Sequence, residues 1–172
     1  MNWKLFVVAV YFLISISFVY GQAGKIQTNQ EIKAFANQNR NLLGSNFVRR
    51  TGEYQSRWGA GRYELEYENE KWLNQGEWRR EAEITFVENG KIDSKRYETV
   101  YLNMADAVKK FIRLKEGLIA IYGNPVETNG VESGLHVEGV EWVFEDFGVH
   151  IIIPNMRNVY YIDMSFYLRN KY

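Results

Sequence analysis

Two periods organise this chain. Behind Thr28-Asn29-Gln30-Glu31, apolar residues recur at helical spacing, with Ile32, Phe35, Ala36, Leu42 and Leu43 on one face and Asn39 interrupting it. Thr28 and Glu31 stand three apart, the spacing at which a hydroxyl and a carboxylate each accept a hydrogen bond from the other residue's backbone N–H, so a helix is predicted to start there. Gly44 supplies the left-handed residue that stops it. Residues 45–61 read as loop or irregular strand, and after them the period falls to two. Tyr63, Leu65 and Tyr67 alternate with Glu64, Glu66 and Glu68, and Ala82, Ile84 and Phe86 alternate with Glu81, Glu83 and Thr85. Both segments read as strands with one apolar and one solvated face. Residues 69–77 are polar and turn-like.

Asn89-Gly90 is a strong hairpin signal and returns the chain through Ile92 to Leu102. A plain two-residue turn would set Phe86 opposite Asp93, so a β-bulge is expected here to bring Ile92 beside Phe86. A second helix follows, capped by Asn103, with Asp106 in its first turn. Its stripe is Val108, Phe111, Ile112, Leu118, Ile119 and Tyr122, widened by Leu114 and Ile121, and Gly123 with Pro125 ends it. Gly117 inside the helix costs about 1 kcal/mol relative to Ala, which predicts a close approach, taken here as helix to sheet. Residues 129–139 carry three glycines and read as a flexible loop. Three strands complete the pattern, at 140–145, 149–153 and 160–168. In the last, Tyr160, Ile162, Met164, Phe166 and Leu168 alternate with Tyr161, Asp163, Ser165, Tyr167 and Arg169.

Element order therefore repeats. Residues 28–102 run helix then three strands, and residues 103–168 do so again. Antiparallel strands with helices confined to one face predict a two-layer α+β domain, an antiparallel sheet carrying two helices as a tandem pair of α-β-β-β units. Both units belong to one domain, 22–172.

The N-terminus changes the picture of where this domain works. Lys4 precedes an almost wholly apolar run, Leu5 to Val19, followed by small residues. That is the layout of a signal peptide over residues 1–21, with cleavage expected before Gln22 or before Gly24. The run is shorter than the ~20 residues a spanning helix needs, so no membrane insertion is expected after cleavage. The full chain holds 21 basic and 21 acidic residues. Such a balance argues against nucleic acid, whose affinity rests on neutralised phosphates. The chain has no cysteine and no Asn-x-Ser/Thr acceptor. Both absences point to an extracytoplasmic protein of a bacterium, periplasmic or secreted, whose core holds without disulfides.

Leu118, Ile119, Tyr122, Gly123, Pro125, Trp142 and Phe144 form a helix, a Gly-x-Pro stop and a tryptophan-bearing strand. Over residues 104–168 this pattern resembles small bacterial envelope domains of the SmpA/OmlA lipoprotein and β-lactamase-inhibitor-protein type. Residues 28–102 follow it in element order. The resemblance implies a tandem α/β fold and a role in binding other proteins. It implies no catalytic residue, and the lipidated cysteine of the lipoproteins has no counterpart here.

Catalytic signatures are sparse. His136 and Glu138 offer two metal-ligand types without a third nearby, so neither a metal nor another cofactor is expected. Ser45 and Ser133 lack a nucleophile-elbow context, and the alternating glutamates have the pattern of a solvated sheet face. Aromatic residues make up 16% of the chain, and Tyr161 and Tyr167 occupy strand positions opposite the core set. Tyrosines on a rigid surface are effective binding anchors. The expected function is thus a non-enzymatic one, binding a protein or peptide through an open sheet face with Tyr161, Asp163 and Tyr167 at its centre and Glu64 and Glu66 as an acidic flank. The alternatives are a small hydrolase or ligand-binding protein using the 129–139 loop, and a structural envelope component.

Overall fold

A computed structural model of the chain describes residues 28–57, 59–68, 78–101, 103–132, 135–156 and 159–169. The segment read as a signal peptide, both expected cleavage positions and the polar stretch 69–77 lie outside the described residues. Two helices, α1 (Asn29–Leu42) and α2 (Met104–Tyr122), accompany eight strands. These are β1 (Tyr54–Gln55), β2 (Arg62–Glu68), β3 (Trp78–Glu88), β4 (Lys91–Tyr101), β5 (Val126–Glu132), β6 (Leu135–Val143), β7 (Phe147–Met156) and β8 (Val159–Leu168). They form one open antiparallel sheet in the order β1-β2-β3-β4-β8-β7-β6-β5. Each half is a helix followed by a four-strand meander, and the halves join through their last strands, β4 and β8.

Local chemistry starts and stops the helices as their sequence predicts. Thr28 and Glu31 form the reciprocal capping box at α1. The Asn103 side chain accepts from the Asp106 N–H at 2.9 Å to cap α2. Gly123, at φ 80°, leaves the last turn in a conformation that side chains disfavour. Ile32, Phe35 and Ala36 of α1 and Ala107, Phe111, Leu114 and Leu118 of α2 share a core with Tyr97, Trp142, Val149, Ile151, Ile162, Met164 and Phe166 of the sheet. Asn39 does not break the buried stripe but joins it. Its amide donates to the Phe35 carbonyl, and its oxygen accepts from the Tyr97 hydroxyl at 2.6 Å, so a buried polar group has its partners.

Several expectations need correction. The units have four strands, not three, because β1 lies inside the stretch 45–61, read as loop or irregular strand, and β5 with the first half of β6 takes up the expected loop 129–139. Glycines in that second segment mark the chain as loop by composition, yet backbone pairing from Val126↔Glu141 to Glu132↔Leu135 holds it as a hairpin. The turn at Asn89-Gly90 has both residues at positive φ, as a tight hairpin requires. The bulge is there, with Phe86 opposite Ser94, but Ile92 stays opposite Val87. Ile112 is exposed, since the buried arc of α2 centres on Ala107, Phe111, Leu114 and Leu118. Gly117 meets the other helix and not the sheet: a β-carbon there would overlap the Ile32 Cδ1 atom of α1.

The largest correction concerns β3. Leu65 pairs with Glu83 and Tyr63 with Thr85, and Glu83 pairs with Tyr97 of the core. Glu83 and Thr85 thus point to the helix side, while Ala82, Ile84 and Phe86 point away from the helices. The helix side of this end of the sheet is covered by the segment after α1. It is tied to β4 through hydrogen bonds from Gly44 N–H to the Ile92 carbonyl and from Ile92 N–H to the Ser45 carbonyl. That segment brings charge with it, which explains why β3 turns a charged face inward.

Candidate binding face

Directly paired residues of adjacent strands share a face, so the register draws the helix-free side as rows. One row crosses all eight strands: Tyr54, Glu64, Ile84, Arg96, Ser165, His150, Glu141 and Val126. The next holds Glu66, Ala82, Glu98, Asp163, Ile152 and Gly139. On its other side lie Arg62, Phe86, Ser94, Tyr167 and Gly148. Tyr161 stands beside Val100. All five residues singled out from sequence, Glu64, Glu66, Tyr161, Asp163 and Tyr167, therefore fall on one face, the one without helices.

Their arrangement differs from an aromatic centre with an acidic flank. Tyr161 and Tyr167 are six residues apart on β8, about 20 Å at strand rise, and both are half-buried. A polar strip of Asp163 and Ser165 separates them. Tyr167 leans across β7, because Gly148 beneath it has no side chain and a β-carbon there would overlap the ring. Its hydroxyl donates to the Glu141 carboxylate on β6. Burial, followed by this carboxylate, raises the Tyr167 pKa above the usual phenol value.

Asp163 is 4% exposed. Arg96 pairs with it and also with Glu98 at 3.0 Å, and the Ser165 hydroxyl donates to Asp163 at 3.3 Å. Burial pushes its carboxyl up to about 6, with Glu98 adding to the rise and Arg96 and Ser165 opposing it. At the other end of the sheet Glu64 is buried too, paired with Arg62 and accepting from the Tyr54 hydroxyl at 3.0 Å. The same hydroxyl reaches exposed Glu66 at 3.1 Å. Burial and these two carboxylates raise the Tyr54 pKa to about 12. The acidic flank is thus largely neutralised in place, with Glu66 its exposed member.

A second charged constellation lies on the helix side and was missed from sequence. Glu83 pairs with Lys95 and, at 3.0 Å, with Arg50. Arg50 also pairs with Glu53 at 2.9 Å, and the Lys95 ammonium donates to the Thr85 hydroxyl at 2.7 Å. Glu53, Glu83, Thr85 and Lys95 are all buried. Burial lowers the Lys95 pKa, with Glu83 opposing, while Glu83 and Glu53 outweigh desolvation at Arg50 and raise its pKa. Two acids and two bases balance. The network fastens the 44–56 segment to the sheet, and nothing in its alternating sequence distinguishes it from a solvated face.

Among the described residues, no cluster of three His, Cys, Asp or Glu side chains is placed to hold a metal ion. The fold and face define a class: an α+β protein with two helices packed on one side of an open, eight-stranded antiparallel sheet whose other side is rich in paired charges and tyrosine. Comparison with protein-family models, curated proteins and solved structures yields no match.

Proposed function

We propose that this chain is an exported, non-enzymatic domain that binds a protein or peptide through the helix-free face of its sheet. The observation that carries the reading is the row of partly exposed side chains Arg96, Ser165, His150 and Glu141 across β4, β8, β7 and β6, flanked by half-buried Tyr161 and Tyr167, on a side that neither helix covers. Salt bridges and the Tyr167–Glu141 bond hold these groups in fixed positions, so little side-chain entropy is lost on association. Glu64, Glu66, Glu98, Glu141 and Asp163 against Arg62 and Arg96 leave this face acidic and favour a partner with basic groups, and its association rate should fall with salt. The resemblance to envelope domains that bind other proteins points the same way.

The test places a photo-crosslinking residue at Ser94 or Ser165 on the face, and at exposed Glu116 on α2 as control, in the native host. One protein partner should crosslink from the face positions and not from Glu116. Replacing Tyr161 and Tyr167 together by Ser should abolish the crosslink while the melt stays within a few degrees. Equal crosslinking from Glu116 would refute the face as the binding surface.

A further inference from the structure

We draw no further inference here: the strongest candidate, the open apolar groove that Met104, Ala105, Val108, Lys109 and Ile112 line along the N-terminal half of α2, is walled by that one helix alone, and nothing in the structure shows what covers it.

Discussion

Replacing Asp163 by Asn tests whether the centre of the helix-free face stores electrostatic cost. The carboxyl sits on β8 at 4% exposure, and its pKa is raised from 3.8 to about 6. A carboxyl raised on folding binds its proton more tightly in the native state than in the unfolded one. Between the two pKa values the native state therefore holds a proton that the unfolded state has lost, and stability falls as pH rises from 3.8 towards 6. Above that window the loss is complete. A shift of roughly two units corresponds to about 3 kcal/mol. Because the group is almost fully buried, solvent screening does not reduce this much.

Asn cannot ionise, keeps an oxygen to accept from Ser165, and leaves Arg96 its pair with Glu98. Parent and Asp163→Asn should then be similar near pH 4, and the variant should be more stable by about 2–3 kcal/mol at pH 7. Urea unfolding of both proteins at the two pH values gives the double difference, in which other titrating groups cancel. A difference independent of pH would refute the argument. So would a variant less stable than the parent at pH 7, which would mean that the pair with Arg96 outweighs desolvation.

Phe111→Ala and Ile162→Ala, both in the buried core, should each cost about 2–5 kcal/mol in urea unfolding, with exposed Glu66→Ala as the near-neutral reference. Gly117→Ala should destabilise although Ala is the better helix former by about 1 kcal/mol, because the new methyl meets Ile32 across the helix pair; adding Ile32→Val should restore part of the loss, and a Gly117→Ala protein more stable than the parent would show that the helices can part freely. Glu83→Gln should cost about 3–5 kcal/mol by leaving Lys95 without its counter-charge in the core, and the double change Glu83→Leu with Lys95→Met should cost less than the single one.

The capping box at Thr28, the stop at Gly123, the tight turn at Asn89-Gly90 and the alternation of 160–168 rest on neighbours within a few residues. Each was legible in the sequence for that reason. So was the shared face of Tyr161, Asp163 and Tyr167, since a strand puts every second residue on one side whatever it pairs with. The side taken by β3 was not legible, because alternation separates two faces without saying which one meets the core. Glu83 turned inward only because the segment after α1 delivers Arg50 to it, from 33 positions away. β5 and the first half of β6 escaped notice for a related reason: their glycines weaken local strand preference, and their pairing with each other, and of β6 with β7, overrides it. The face itself came together in the same way. One strand's sequence states its period, but only the register between strands sets Arg96 against Ser165 and His150 against Glu141, and register is a property of the assembled sheet.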